Sequence, residues 1–207
     1  MTGVRVSDLE NSIKDEATND RPLIRFRVTE NVALLYLANP PGNALTAPVR
    51  RALSATLDDV ERRPRTEALV LMAEGPVFSD GVPADAPDVD ADAAGLRALC
   101  ARIEGLGIPS IAVLQGSAAG AGADLALACH MRIATRNARL CFPDIAIGLP
   151  PAGGATQRLP RLAGVDIALR LLLTGRPIAA PTAQEFGLID GLVEGDPFSA
   201  GFATARR

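Results

Sequence analysis

The stretch GSAAGAGADLALACH, Gly116 to His130, decides how this chain is read. Its first eight positions, Gly116 to Ala123, carry nothing larger than a serine side chain, and Asp124 then opens an apolar run. SIAVLQ before it reads as a strand, and ADLALAC reads as an apolar helix. A strand that passes through small residues into a helix leaves unpaired N–H groups at the helix N-terminus, where the dipole adds positive potential. Small residues let a ligand approach those groups, but they equally permit a helix to pack closely on a sheet. Both readings stand at this point.

Outward from that stretch, strands alternate with helices. LIRFRV and VALLYLA predict a hairpin turning at Glu30–Asn31. Thr46 can cap a helix in which Pro48 suits the first turn, Val49, Leu53, Leu57 and Val60 recur at helical spacing, and Pro64 ends the pattern. ALVLMA is a buried strand. A loop rich in Pro, Ala and Asp runs from Gly75 to Gly95, and a helix is expected from about Ala93 to Leu106. MRIAT and ARLCF are short strands, and GGATQRLPRLAG opens a further turn after Pro150 and Pro151. Such alternation predicts an α/β layered domain with largely parallel pairing.

Composition narrows the function. The 207 residues are 48% hydrophobic with a net charge of −3, enough for a real core. One Tyr, no Trp and mild acidity supply neither the basic stripe nor the stacking platform of a nucleic-acid binder. No apolar run reaches membrane-span length, and the polar start MTGVRVSDLENSIKDEATNDR is not signal-like, so the expected location is cytoplasmic. Cys100, Cys129 and Cys141 are odd in number with apolar neighbours, which predicts buried reduced thiols. His130 is expected in a core position with one satisfied hydrogen bond.

Known fingerprints fit poorly. Gly120-Ala121-Gly122 lacks the third glycine of a dinucleotide loop, no Gly-Lys-Ser/Thr is present, no nucleophile elbow surrounds Ser79 or Ser117, and one His with scattered Cys gives no metal site. What remains is an oxyanion-type site built from backbone amides.

Four motifs then occur in one order: ANPPGNALT, PVFSDGVPAD, IAVLQGSAAGAGADLALACHMRIA and FPDIAIGLPPAGGATQRLPRLAG, with GLIDGLVEGD beyond them. From about Leu23 to Glu194 the chain resembles the enoyl-CoA hydratase/isomerase (crotonase) superfamily, most of all the hydratase/isomerase half of multifunctional fatty-acid oxidation enzymes. The resemblance implies a crotonase-like spiral of repeated ββα units with a shortened C-terminal helical region. The expected organisation is a polar N-terminal segment (1–22), an acyl-CoA-binding core (23–195) and a truncated C-terminal tail (196–207).

The resemblance also implies a chemistry. A thioester carbonyl would be polarised by the backbone N–H groups of Val82 and Ala121, with Ala44, Leu45, Gly81, Ala84, Gly120 and Gly122 around CoA and substrate. Two carboxylates would then add water across the 2,3 double bond, and Asp124 and Asp144 hold the positions where the family's hydratases carry glutamate. Each is one methylene short, a reach deficit of about 1.5 Å. Isomerisation of a double bond and non-catalytic acyl-CoA binding are the alternatives. No permanently bound cofactor or metal is expected, since coenzyme A arrives as part of the substrate, and the family's habit implies a homotrimer or hexamer.

Local chemistry assigns roles to the two aspartates. Phe142, Pro143 and Ile145 flank Asp144 and should raise its pKa, making it the general acid. Asp124, at a helix N-terminus, should stay ionised. Two departures bear on CoA: Pro83 removes an N–H near the second motif, and no Lys or Arg lies between Thr66 and Leu96, so Arg25, Arg27 or a neighbouring subunit are the candidate phosphate partners.

Overall fold

The computed structural model describes residues 21–83 and 89–206. The predicted hairpin is present: β1 (Ile24–Thr29) pairs antiparallel with β2 (Val32–Leu37). Glu30 and Asn31 both take positive φ, 48° and 64°, the backbone that a two-residue hairpin turn requires. All later additions to this sheet are parallel: β3 (Ala68–Ala73), β4 (Ser110–Leu114), β6 (Met131–Thr135) and β9 (Gly191–Val193) complete the order β1-β2-β3-β4-β6-β9. A second, three-stranded sheet is built from β5 (Ala118–Ala119), β7 (Arg139–Cys141) and β8 (Ile178–Ala179) in the order β5-β7-β8.

Seven helices lie among the described residues: α1 (Ala47–Glu61), α2 (Val89–Glu104), α3 (Ala121–Ala128), α4 (Ala155–Ala163), α5 (Val165–Thr174), α6 (Ala180–Glu185) and α7 (Pro197–Ala205), with a 3-10 turn at Pro143–Ile147. The repeat is visible: β4, β5 and α3 form one ββα unit, and β6, β7 and α4 form the next. Each unit sends one strand into each sheet, which is the spiral expected from the motif order.

Both faces of the large sheet are covered, which is why its strands read as unbroken apolar runs. Ala33, Leu35, Leu37, Leu69, Leu71, Ala112 and Leu114 face the main core with α1, α2 and α3. Val32, Leu34, Val70, Met72, Ile111, Val113 and Ile133 face the other way, toward Phe198 and Phe202 of α7. Gly201 lets α7 lie flat there, because a Cβ at that position would sit 2.6 Å from Cγ2 of Val113.

Three expectations need correction. Residues 197–205 are not a tail: Asp196 caps α7 by accepting from the N–H groups of Phe198 and Ser199, and Pro197 fits the first turn. The signal was local, a D-P pair before an apolar run. Helix α2 starts at Val89 rather than near Ala93 and ends at Glu104. Thr46 occupies the N-cap of α1 but makes no side-chain capping bond.

Candidate active site

Strands β3 and β4 are parallel neighbours, so the segments that leave their C-terminal ends run side by side. The N–H groups of Phe78 and Ser79 donate to the Ser117 carbonyl at 3.0 and 3.2 Å, and Ala119 N–H donates to the Ser79 carbonyl at 2.9 Å. This contact explains the bare backbone. A Cβ on Gly116 would lie 1.7 Å from the Pro76 carbonyl oxygen, one on Gly81 2.7 Å from the Ala119 carbonyl oxygen, and one on Gly122 2.6 Å from Ser79 Cβ. The glycines are needed for packing first.

That packing has a chemical by-product. The Cβ position of Gly81 is 3.2 Å from the Ala121 nitrogen, so the Gly81–Val82 segment lies against the first amide of α3. As the first helical residue, Ala121 has no intrahelical acceptor for its N–H. Among the described residues, neither the Val82 N–H nor the Ala121 N–H has a backbone acceptor. The packing and ligand readings of the glycines are therefore compatible.

The loop before α1 braces this corner. Leu45 N–H donates to the Gly81 carbonyl at 2.8 Å, Asp80 N–H to the Gly42 carbonyl at 2.8 Å, and the Ser79 hydroxyl to the Asn43 carbonyl at 2.8 Å. Asn43, buried and at φ 49°, donates to the carbonyls of Glu74 and Val77 and accepts from Asn39 N–H. Asn43 is not among the sequence candidates, and Ser79 enters there only as a rejected nucleophile. The available signal was an asparagine in a Pro-Pro-Gly-Asn turn, where left-handed backbone is tolerated. Ala44 is half-buried beside this corner, while the Leu45 side chain points into the main core and Ala84 lies outside the described residues.

Asp124 and Asp144 both lie near the start of α3, close enough to interact electrostatically. Gly120 N–H donates to the Cys141 carbonyl, and its Cβ position is 3.6 Å from Asp144 Oδ1, so the 3-10 turn holds Asp144 at the start of α3. Asp124 is 1% exposed, and its Oδ2 accepts from Gly153 N–H at 3.0 Å, while Oδ1 is buried without a partner. Oδ2 of Asp144 is likewise buried and unpartnered.

The electrostatics match the expectation at Asp144 and depart from it at Asp124. Burial pushes Asp124 up to about 7, the neighbouring Asp144 adds to that, and the amides of Gly153 and Ala155 with Arg158 only partly offset it. Burial also raises Asp144, a half-exposed group, above the usual carboxylate range. The helix N-terminus does not hold Asp124 in the usual carboxylate range, because all eight residues of α3 are buried and desolvation outweighs the dipole.

Other sequence candidates fall elsewhere. His130 is exposed rather than in the core; its Nδ1 accepts from Ser110 N–H at 3.1 Å and lies 2.7 Å from the Ser110 hydroxyl. Arg25 lies on β1 opposite Tyr36, on the sheet face away from α1–α3, and pairs with Glu74 at 3.0 Å. Arg27 shares that strand. The three cysteines are free thiols, two buried and Cys141 half-buried. Among the described residues no His, Cys, Asp and Glu side chains cluster as a metal site, and no helix is long and apolar enough to cross a membrane.

Repeated ββα units wound over two sheets, with both loop amides at one corner, define the crotonase fold class. The family profile described as Enoyl-CoA hydratase/isomerase matches residues 27–200. The chain belongs to the enoyl-CoA hydratase/isomerase family. It is 41% identical over 172 residues to the peroxisomal bifunctional enzyme of Danio rerio, covering 81% of this chain but 23% of that protein. The chain thus spans about a quarter of that curated relative. Among solved structures, Pseudomonas aeruginosa DspI superposes with a TM-score of 0.85 at 30% identity, over 93% of this chain and 82% of that one. The enoyl-CoA hydratase of Bacillus anthracis gives 0.84 at 29%, over 89% and 75%.

Proposed function

We propose that the chain adds water across the 2,3 double bond of an acyl-CoA thioester. The observation that carries this reading is the meeting of two carboxyl groups, each with an unpartnered buried oxygen, beside the amides of Val82 and Ala121. The amides would accept the charge that develops on the thioester oxygen, an interaction worth about 2.7 to 4 kcal/mol per donor. Neighbouring like charges resist double ionisation, and burial raises both carboxyls, so the pair favours keeping one proton. Its ionised member takes a proton from water as the oxygen adds to C3, and its protonated member delivers one to C2. The deeper burial of Asp124 supports placing the shared proton there. Asp144, half-exposed, is then the carboxylate that meets water.

No bound cofactor enters this chemistry, because coenzyme A is the carrier of the acyl group; Gly81, Gly120 and Gly122 let the segments that form the corner pack closely, and the thioester would lie against it. Exposed Val165, Leu169 and Leu173 on α5, with Ile145 and Ile147 beside Asp144, support a homotrimer or hexamer. Free thiols support a reducing compartment, read as the cytoplasm.

Loss of the conjugated absorbance of crotonyl-CoA tests the reaction. The double substitution Asp124→Glu with Asp144→Glu restores the two missing methylenes; faster hydration by that variant would point to a natural substrate other than crotonyl-CoA. Undetectable turnover in both forms, with acyl-CoA still bound, would overturn hydration in favour of a binding role. A second reading, double-bond isomerisation, is favoured by the pKa of Asp124 alone, since one carboxyl near neutrality can shuttle a single proton. It predicts that Asp144→Asn keeps isomerase activity and Asp124→Asn loses it.

A further inference from the structure

We propose that Arg158 is a positioning residue for Asp124, fixing the Gly153 peptide that donates to this carboxyl and setting a buried positive charge behind it. The proposal rests on the reading of Asp124 as a reacting carboxyl, but its geometry is separate from the reaction. Gly153 is held from both sides. Its N–H donates to Asp124 Oδ2 at 3.0 Å, and its carbonyl accepts from Arg158 Nη1 at 2.7 Å. Arg158 sits in the first turn of α4 and folds back onto the turn that precedes the helix. Gly154 makes room for it: at φ 110°, a Cβ there would stand 2.4 Å from Nη1.

The guanidinium is costly to keep where it is. Arg158 is 8% exposed and its Nε is buried without an acceptor. Its remaining partner is Glu104 at the end of α2, whose Oε2 accepts from Nη2 at 2.7 Å and whose side chain is 55% exposed. A salt bridge to a half-exposed carboxylate could be made at the surface without burying the arginine. Burial makes sense if the charge acts inward, where its field is least screened.

The groups around Asp124 bear this out. Asp144 faces it from the 3-10 turn and works against ionisation. Cys100 of α2 and Cys129 at the end of α3 are thiols that burial pushes well up, Cys129 to about 12, so neither carries charge at neutral pH. Glu104 faces Arg158. Arg158 therefore supplies the positive charge that works against burial and Asp144, and without it Asp124 would stay protonated to higher pH.

The test is the titration of the Asp124 carboxyl by NMR in chain carrying carbon-13 aspartate, assigned with Asp124→Asn. Arg158→Gln removes the charge and should raise the midpoint. Arg158→Lys should restore most of it. Glu104→Gln keeps an acceptor for Nη2 but deletes the neutralising charge, so it should lower the midpoint. A clamp acting only through structure would not give opposite signs. Folded Arg158→Gln with an unmoved midpoint, or both variants moving the same way, overturns the proposal. If Arg158→Gln does not fold, Glu104→Gln alone decides, and an unchanged midpoint there is equally fatal. Because the titration needs no turnover, absence of crotonyl-CoA hydration would sink the hydratase reading and leave this measurement standing.

Discussion

Asp124 and Asp144 stand at the same corner in unlike surroundings. Asp124 belongs to a helix whose eight residues are all buried, and it has a backbone donor from Gly153 and a cation behind it in Arg158. Asp144 belongs to a short 3-10 turn with no buried residues, between Pro143 and exposed Ile145. By local sequence the first should be the ionised group and the second the neutral one. The structure puts the larger perturbation on Asp124, because removal of water acts on every side of a carboxyl while a helix end and two amides act on part of it. The apolar neighbours of Asp144 correctly signal its raised pKa, but a helix N-terminus is a poor guide to the state of Asp124. What counts is the layer of chain packed over the group.

The sharpest way to break this comparison is to remove each proton site in turn. Asp124→Asn keeps size and polarity and should slow crotonyl-CoA hydration by about 10² to 10⁴, with acyl-CoA binding retained in a titration. Asp144→Asn should cost a similar factor; if only one substitution matters, the two groups do not act as a pair.

Next in size is the effect on stability. The folded pKa of Asp124 is about 7 against a usual 3.8, so between those values the folded chain keeps a proton that the unfolded chain has released. Stability from this group therefore falls as pH rises from about 4 to about 7. Urea unfolding of wild type and Asp124→Asn should diverge in favour of the variant across that window, by at most a few kcal/mol at about 1.4 kcal/mol per unit. A flat difference would mean that Asp124 is not desolvated.

A smaller effect tests the packing that creates the corner. Gly122→Ala drives a methyl into Ser79 and should lower stability by about 1 to 3 kcal/mol. Crotonyl-CoA turnover by the folded fraction should fall as well, since the same contact sets the Val82 and Ala121 amides. Full activity in a destabilised protein would separate packing from chemistry.

The smallest effect on the single chain is expected on α5. Leu169→Asp with Leu173→Asp changes exposed positions and should alter protomer stability by about 0.5 kcal/mol or less per site. In light scattering it should move the proposed homotrimer or hexamer toward 21.5 kDa. The titration of Asp124 should not move, being buried within one chain, whereas that of Asp144, beside the exposed isoleucines, should.

Much of this was legible in the sequence because the relevant forces are local. The unbroken apolar runs of β3 and β4, the Glu30–Asn31 turn and the bare stretch before α3 each follow from residue type and spacing, and the order of four motifs pointed to the fold. Tertiary structure alone decided the rest. It turned the residues after Asp196 into a helix on the outer face of the sheet, put His130 at the surface, and set Arg158 behind Gly153. It also raised the Asp124 carboxyl, since a pKa depends on how much water remains around a group, and that is settled by segments far apart in the chain: here α2, α3 and the turn before α4 closing over Asp124.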